Sequence, residues 1–531
     1  MRKRALVVFS FILFSFIIVG IRTADLMISV EYANESASGK RIDIASIRGT
    51  VYDCNMELLT NSEHQIYTAS KPTLKALEAV ENYTVSESIE AIKERMEKMN
   101  PIVIRTKDFI TDCSDVLSFS VPSRYASDSL LCHIIGYTDS SGKGVSGIEK
   151  YYDKLLSDST KEVYARFLTD ANGRVLIGEK IEASDSSAPK GGVVLTIDKN
   201  IQKITENALD ESGTECAAAV VIEIKNGAVR ACVSRPLFNQ NDISESLNDP
   251  NYSLLNRAFM PYSVGSVFKP VVAAAALENG INENFEYECK GNVTLNGVTF
   301  NCHKKDGHGV LDMQGALAHS CNTYFIELAQ ITGAENIIST AKNFAFGTEI
   351  KLDDQIFSKS GNLPKKSEID SKAALANLSF GQGALTATPI QICSMIATIA
   401  NKGMLVNPYL VEGVVSADGT YIGKKHYSEN KQIISEASAE KVQKFLLSVV
   451  EYGSGKRAGS NIINSAGKTA TAQTGKFKGE EEIYNAWFAG YFPADNPKYS
   501  VVILKEDGGE GAISCAPVFK KIAEEIALSE Q

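Results

Sequence analysis

Apolar residues follow two different spacings along the second half of the chain, and each spacing predicts a different kind of element. Dense runs of β-branched residues and alanine predict strands at 193–197, 217–224, 229–234, 486–492 and 499–504. Helical periodicity covers 200–209, 271–278, 390–400 and 518–528. Since strands stand at both ends of this region with helices between them, the pattern predicts an α+β domain whose sheet is closed by both of its ends.

Turn and capping residues mark the ends of several of these elements. Asn226-Gly227 and Asn296-Gly297 are two-residue hairpin signals, the second within VTLNGVTF at 293–300. Thr388, Pro389 and Gln391 fit a capping box at the start of the helix over 390–400. Earlier in the chain, an amphipathic helix is predicted over 85–99, and the polar stretch 182–192 is typical of a linker.

The N-terminus carries a pattern of its own. Arg2, Lys3 and Arg4 precede an uncharged, strongly apolar run over 5–21. That run is near the lower limit for a bilayer-spanning helix, and the preceding cations would stay on the cytoplasmic side. A cleaved signal peptide is the alternative, but Arg22 stands where a cleavage site should be small and uncharged. The sequence predicts an uncleaved anchor over 1–22, with the remaining chain outside the cytoplasm.

Length, charge and cysteine content further limit the classes of protein to which the chain can belong. A chain of 531 residues is too long for one core, and a formal net charge of −10 argues against nucleic-acid binding. Ten cysteines are scattered along the chain, and those in apolar runs are expected to be small buried residues: Cys132, Cys216, Cys232 and Cys393.

The stretch around the second hairpin signal holds two further cysteines and two histidines. Cys289 and Cys302 bracket the hairpin, so a disulfide between them is plausible. His303 and His308 next to Cys302 could suggest zinc. Their spacing matches none of the common zinc patterns, so no metal is expected.

The first candidate for chemistry is Ser266-Val267-Phe268-Lys269, which is followed by an alanine-rich helical run. At a helix start, residues three apart share a face, so the Lys269 amine can lie beside the Ser266 hydroxyl. A desolvated neutral lysine can activate a serine as a nucleophile, and a helix N-terminus favours developing negative charge. Alone, S-x-x-K is also typical of a capping serine with a surface lysine.

Two further polar segments follow in order. Ser320 and Asn322 lie in a mostly apolar run, where buried polar groups need partners, although an ordinary helix start is the simpler interpretation. Lys468, Thr469 and Thr471 have strand-like spacing in NSAGKTATAQTG, and could form an edge strand along a cleft or a plain polar hairpin.

Together the three segments resemble the S-x-x-K, S-D-N and K-T-G set of penicillin-binding proteins and class A β-lactamases. More closely, the chain resembles a class B penicillin-binding protein, a monofunctional transpeptidase, over nearly its whole length. The further segments that carry this resemblance are RGTVYD at 48–53, HIIGY at 133–137, GIEKYY at 147–152, LTID at 195–198, NRA at 256–258, FGQG at 380–383 and AWFAGY at 486–491.

The resemblance implies an antiparallel sheet flanked by helices, and three regions: an anchor over 1–22, a pedestal domain over 23–184 and a transpeptidase domain over 185–531. It implies no metal and no organic cofactor. Ser266 would be the nucleophile and Lys269 its base. Ser320 would relay a proton to the leaving group. The remaining residues would bind substrate. Asn322 would hold the peptide amide, and Lys468 and Thr469 would bind the terminal carboxylate region. The N–H groups of Ser266 and Thr471 would form the oxyanion hole.

The chain departs from the family pattern at Ala470, where the motif has glycine. Glycine there would let the substrate backbone approach the strand, whereas a methyl group is a small obstruction. Activity is expected to survive, with altered β-lactam affinity.

The resemblance also implies partners and a location. Substrates would be peptidoglycan stem peptides, with β-lactams as inhibitors, a polytopic glycan polymerase as partner, and the cytoplasmic membrane as the site of a single-pass anchor. Two alternatives remain open. One is a β-lactam-hydrolysing or β-lactam-sensing relative, and the other is a catalytically impaired scaffold of a wall-synthesis complex, for which Ala470 is the support.

Overall fold

The computed structural model describes residues 9–10, 12–24, 39–85, 87–170, 172–423 and 431–530, which fall into two compact units. The smaller unit takes in the N-terminal part up to Ile47 together with Asn61–Arg124 and Thr160–Ala188. The larger unit comprises Arg48–Thr60, Tyr125–Ser159 and the chain from Pro189 onwards. Two pieces of the expected pedestal region, 48–60 and 125–159, therefore belong to the larger unit.

The strands are short and mostly antiparallel. In chain order they are β1 Gly39–Ile47, β2 Thr50–Tyr52, β3 Glu63–Ser70, β4 Ile102–Thr106, β5 Val116–Ser123, β6 Lys161–Leu168, β7 Glu182–Ala183, β8 Gly192–Leu195, β9 Ala217–Glu223, β10 Val229–Arg235, β11 Tyr262–Ser263, β12 Tyr287–Cys289, β13 Asn292–Leu295, β14 Val298–Asn301, β15 Gly309–Leu311, β16 Thr386–Ala387, β17 Val411–Val415, β18 Tyr421–Gly423, β19 Ala466–Lys478, β20 Glu481–Phe492 and β21 Tyr499–Lys505.

Helices alternate with these strands, and most of them belong to the larger unit. After the helical residues 12–24 (α1) they are α2 Leu74–Glu81, α3 Ile89–Glu97, α4 Cys132–Ile135, α5 Gly147–Tyr151, α6 Asp153–Asp158, α7 Lys199–Asp210, α8 Lys269–Glu278, α9 Met313–Ala318, α10 Asn322–Thr332, α11 Ala334–Asn343, α12 Lys372–Ser379, α13 Pro389–Ala400, α14 Glu436–Glu451, α15 Gly511–Ser514 and α16 Ala516–Ser529.

The smaller unit contains two three-stranded sheets, ordered β1-β6-β7 and β4-β3-β5. Its helix α3 is shorter than the predicted 85–99 and begins at the cap Ser88, whose hydroxyl accepts from Ala91 N. The predicted linker over 182–192 is not wholly irregular, because Glu182–Ala183 pairs with β6 and β8 begins at Gly192.

The larger unit is built on a five-stranded sheet of order β10-β9-β21-β20-β19, with antiparallel pairing throughout. The predicted strands at 217–224, 229–234, 486–492 and 499–504 are confirmed within about a residue of β9, β10, the end of β20 and β21. The expectation that both ends of the domain close one sheet is also confirmed, since early strands β9 and β10 join late strands β19 to β21.

Alternation along β9 shows how the sheet forms two cores. Ala218, Val220 and Ile222 point into an apolar cluster that includes residues of α8 and α13. Ala217, Ala219 and Val221 point into a second cluster on the opposite face, with residues of α7 and α16. Because successive strand residues face opposite sides, a run of alanine and β-branched residues is the pattern expected for a sheet buried on both faces.

Local signals are confirmed at the helix that crosses this core. Thr388 caps α13 by accepting from Gln391 N, and the Gln391 side chain bonds back to Thr388 N, so the predicted capping box is present. The hairpin of β13 and β14 turns at Asn296 and Gly297, both with positive φ, as a two-residue turn of this type requires.

The predicted anchor over 1–22 cannot be followed over its full length, because residues 1–8 and 11 lie outside the described residues. Among the residues that are described, we find no helix with both the length and the apolar character needed to cross a bilayer.

Candidate active site

The predicted nucleophile lies in a tight turn at the edge of the core. Ser266 belongs to the 3₁₀ turn Gly265–Phe268, directly before α8. Gly265 has φ +58°, and a Cβ there would lie 3.0 Å from the Cβ of Ala472. Its N–H donates to Gly381 O at 2.9 Å, and a Cβ on Gly381 would lie 2.0 Å from Gly265 O. Both positions therefore require glycine, which explains two of the glycines in the sequence motifs.

Lys269 is the first residue of α8, and its side chain is fully buried. Its Nζ donates to Ser320 O at 2.7 Å and to Asn322 Oδ1 at 2.7 Å, and lies 3.3 Å from Ser320 Oγ. Burial lowers the pKa of Lys269 to about 8, because the charged form loses its hydration. The amine is thus held by two carbonyl acceptors in a place where its neutral form is accessible.

Ser320 is in an uncommon backbone conformation. Its φ is +53°, in the left-handed region that few residues other than glycine adopt. The next residue, Cys321, is fully buried at the N-cap of α10, and Asn322 begins that helix. The Asn322 amide also donates to Asn301 O at 3.3 Å, at the end of β14. A residue in this conformation persists where its surroundings hold it in place.

The second lysine approaches Ser320 from the sheet. Lys468 lies on the edge strand β19 and is fully buried, and its Nζ donates to Ser320 Oγ at 2.9 Å and to Thr469 O at 2.9 Å. Burial, together with the nearby charge of Lys269, holds the pKa of Lys468 well below its ordinary value. The expectation of an edge strand carrying this lysine is confirmed.

The structure brings Lys269, Ser320, Asn322 and Lys468 into one hydrogen-bonded group, with Ser320 at its centre. Within the part of the chain that the structure describes, neither lysine forms an ion pair, and the Ser266 hydroxyl makes no hydrogen bond. Two buried amines that share one hydroxyl oppose each other's protonation. The group can therefore hold one lysine neutral, as a proton acceptor, while the other is a cation.

The remaining two predicted residues lie further along β19. Thr469 is buried, and its hydroxyl is 2.9 Å from that of Ser454. Thr471 is exposed, and its Oγ1 accepts from Gly511 N at 3.3 Å. Their side chains belong to the same strand as Lys468, but their hydroxyls bond to Ser454 and Gly511, which the sequence did not single out.

Ala470, where the motif has glycine, does not project freely into solvent. It is 4% exposed and belongs to the same apolar cluster as Val264 and Val267, which flank the nucleophile turn. Its carbonyl approaches Gly511 so closely that a Cβ on that glycine would lie 2.3 Å from the oxygen. The methyl group is therefore part of the core beneath the site.

The stretch around the β13–β14 hairpin differs from expectation. Cys289 and Cys302 are free thiols, so the suggested disulfide is absent. Cys132, Cys232 and Cys393 are buried as expected, whereas Cys216 is half-buried. Beside the hairpin, four potential ligand atoms lie within 4.8 Å of one another, a set that sequence spacing did not predict: Cys289, Cys302, His308 and Cys321.

A serine in a turn and a buried lysine at the start of the next helix, beside the residues of the two later motifs, are typical of the class of penicillin-binding proteins and class A β-lactamases. The sequence profile described as the penicillin-binding protein transpeptidase domain matches residues 217–524, more than half of the chain. The chain belongs to this family, and among its members it is a class B penicillin-binding protein.

Curated relatives agree with this assignment. The chain is 31% identical over 401 residues to stage V sporulation protein D of Bacillus subtilis, covering 73% of this chain and 60% of the relative. It is 29% identical over 424 residues to the peptidoglycan D,D-transpeptidase MrdA of Haemophilus influenzae, covering 73% and 63%. These curated relatives are thus matched over about three fifths of their length.

Two solved structures share the fold. One is the D,D-transpeptidase domain of a peptidoglycan glycosyltransferase from Eggerthella lenta, with a TM-score of 0.67 and 24% identity, covering 92% of this chain and 99% of that one. The other is penicillin-binding protein 3 of Mycobacterium tuberculosis complexed with aztreonam, with a TM-score of 0.67 and 24% identity, covering 92% and 97%.

Proposed function

We propose that the protein is a serine D,D-transpeptidase that cross-links peptidoglycan stem peptides and is acylated by β-lactams. The observation that carries the proposal is the environment of Lys269. Its buried amine donates to the carbonyl oxygens of Ser320 and Asn322, one turn from Ser266. Burial favours the neutral form of this amine, and a neutral amine three residues from Ser266 can take the hydroxyl proton.

Acylation would begin with the attack of Ser266 Oγ on the carbonyl carbon of the penultimate D-alanine. Lys269 takes the hydroxyl proton as the C–O bond forms. The N–H groups of Ser266 and Thr471 stabilise the oxyanion, aided by the start of α8. Lys269 would therefore act as general base toward the hydroxyl three residues before it.

Release of the terminal D-alanine requires a proton on its nitrogen as the peptide C–N bond breaks. Ser320 is suited to deliver it, since its hydroxyl lies 2.9 Å from Lys468 Nζ and 3.3 Å from Lys269 Nζ. Asn322 would hold the peptide amide, while Lys468 and Thr469 bind the carboxylate region. An acceptor amine from a second stem peptide then attacks the ester, forming the cross-link and freeing Ser266.

The test is covalent labelling by a fluorescent penicillin, combined with release of D-alanine from a stem pentapeptide. We expect labelling of the wild type and none of Ser266→Ala. Ser263→Ala is the matched control, because Ser263 lies three residues earlier and its backbone carbonyl, rather than its hydroxyl, accepts from Trp487 Nε1 at 3.0 Å.

The same experiment separates the alternatives. Fast loss of the label from the wild type would identify a β-lactam hydrolase, whereas a transpeptidase holds the acyl group for long periods. Absence of both label and D-alanine release from folded wild-type protein would identify a catalytically impaired scaffold.

The proposal extends to the rest of the chain. Residues 1–22 would form a single-pass anchor in the cell membrane, 23–184 a pedestal domain, and 185–531 the extracytoplasmic transpeptidase domain, with a polytopic glycan polymerase as partner. Support comes from the basic residues before the apolar run 5–21. Protease treatment of intact cells tests it, since cleavage of the catalytic domain is expected only if that domain lies outside.

A further inference from the structure

We infer that the larger unit contains a closed zinc site immediately beside the Ser320–Asn322 segment. Three thiols and one imidazole converge there, with their potential ligand atoms all within 4.8 Å of one another. They come from four separate places in the chain: Cys289 at the end of β12, Cys302 directly after β14, His308 before β15 and Cys321 at the N-cap of α10.

Three of the six separations between these atoms match a tetrahedral zinc site, and all six are within 4.8 Å. With Zn–S near 2.3 Å and Zn–N near 2.0 Å, tetrahedral geometry places two sulfurs about 3.8 Å apart and a sulfur and a nitrogen about 3.5 Å apart. The distance from Cys302 Sγ to Cys321 Sγ is 3.9 Å. His308 Nδ1 lies 3.6 Å from Cys289 Sγ and 3.5 Å from Cys302 Sγ. One ion at the centre satisfies all three distances.

The surroundings suit bound thiolates. Cys289, Cys302 and Cys321 are at most 3% exposed, and His308 is partly buried. The Thr323 hydroxyl lies 3.4 Å from Cys321 Sγ, within hydrogen-bonding distance of that sulfur. Such hydrogen bonds to the ligand atoms are usual around metal-bound cysteine and orient the ligands. Three sulfurs and one imidazole without an open position indicate a structural zinc ion rather than magnesium or calcium.

A disulfide is the competing use of these cysteines, and the geometry favours the ion. A disulfide would join two sulfurs at about 2.05 Å and leave the third thiol and the imidazole without a function at the same point. Here His308 approaches two different sulfurs almost equally, at 3.6 and 3.5 Å. A common central partner accounts for that arrangement, whereas any single sulfur–sulfur bond does not.

The ion would stabilise the part of the active site whose backbone conformation is least favourable. Cys321 lies between Ser320, whose φ is +53°, and Asn322. Across from it, Cys302 follows Asn301, whose carbonyl accepts from the Asn322 amide at 3.3 Å. One metal ion bound to both Cys302 and Cys321 would therefore fix the two chain segments that form this contact. It would thereby also fix the positions of the Ser320 hydroxyl and the Asn322 amide.

The test is the metal content of the full chain purified under reducing conditions and exchanged into zinc-containing, then zinc-free, buffer. We expect about one zinc per chain by mass spectrometry. Cys302→Ser and His308→Ala are expected to lose it. His303→Ala is the matched control, because His303 is exposed in the same loop and lies outside the four-residue group, 4.0 Å from Cys302 Sγ.

A second measurement does not depend on the variants folding. Wild-type protein refilled with Co²⁺ is expected to show the visible absorption of a tetrahedral thiolate site. A wild type that binds neither zinc nor cobalt would overturn the inference, as would a disulfide between two of these cysteines, or zinc retained by His308→Ala and lost by His303→Ala. The inference rests on the folded site and not on acylation, so none of these measurements depends on the proposed function.

Discussion

The two sides of the nucleophile are held in place by different physical means. On one side, Ser266 stands in a turn whose neighbours Val267 and Phe268 are fully buried in the main apolar cluster. On the other side, Ser320 has a positive φ and is held by hydrogen bonds from Lys269 and Lys468, next to the sulfur and imidazole ligands. Apolar packing fixes the first side, and polar and metal contacts fix the second.

This difference determines how each side should respond to perturbation. Apolar packing is spread over many contacts, so the nucleophile turn tolerates the loss of a single polar group. A segment held by a few strong contacts fails when one of them is removed. Loss of the Ser266 hydroxyl should therefore abolish chemistry without loosening the protein, whereas loss of the ion should reduce both activity and stability.

The largest effect is expected from Lys269→Met. Loss of a general base lowers rates by about 10²- to 10⁴-fold, so labelling by fluorescent penicillin should fall by that factor. The melting temperature should fall as well, by about 2–4 °C, because the buried carbonyl oxygens of Ser320 and Asn322 lose their donor. Stopped-flow labelling and differential scanning calorimetry measure the two quantities. Lys225→Met, at an exposed position, is the control. Labelling of Lys269→Met at the wild-type rate would exclude Lys269 as the base.

The next effect is that of removing zinc, which should affect the Ser320 side selectively. After chelation, or in Cys302→Ser, we expect the acylation rate to fall by about 10- to 100-fold, in line with losses of contacts that orient a site. The melting temperature should fall by about 5 °C or more, since the ion joins four segments of chain. Zinc added back to the chelated wild type should restore both. An acylation rate unchanged by chelation would separate the ion from the catalytic group.

A smaller effect is expected from a change of pH, which tests the nucleophile side alone. Burial lowers the pKa of Lys269 to about 8, and only the neutral amine can accept the Ser266 proton. The acylation rate of the zinc-loaded protein should therefore fall about tenfold per unit below that pKa and level off above it. Labelling rates measured from about pH 6 to about pH 9 give the profile. A flat profile in the wild type, or one unchanged in Lys269→Met, would exclude Lys269 as the base.

What could be predicted from the sequence follows the same division. Strands β9, β10 and β21 and the capping box of α13 were predicted because each depends on neighbours in the chain. The edge position of Lys468 followed from small and hydroxylated residues at strand spacing. These features are local, and the resemblance to a known family joined them into one site.

The metal ligands illustrate what could not be predicted. Cys302 and His308 are near each other in sequence, but Cys321 and Cys289 arrive from a helix cap and from a separate strand. No spacing rule links four such positions, because only the folded hairpin brings them together. The positive φ of Ser320 could not be predicted either, because the residue is not a glycine, which would have indicated it.

The smallest effect is expected from Ala470→Gly, which restores the family motif. If the Ala470 methyl group obstructed the substrate, its removal would make acylation much faster. In the structure, however, that methyl is buried in the apolar cluster, so we expect the labelling rate to change by less than about threefold. The free energy of unfolding should fall by about 1–2 kcal/mol, from the lost methyl contact and the greater freedom of glycine in the unfolded chain. Ala466→Gly, buried on the same strand, should destabilise the protein equally without touching the site. Acylation more than about tenfold faster in Ala470→Gly alone would show instead that Ala470 limits access to the edge of β19.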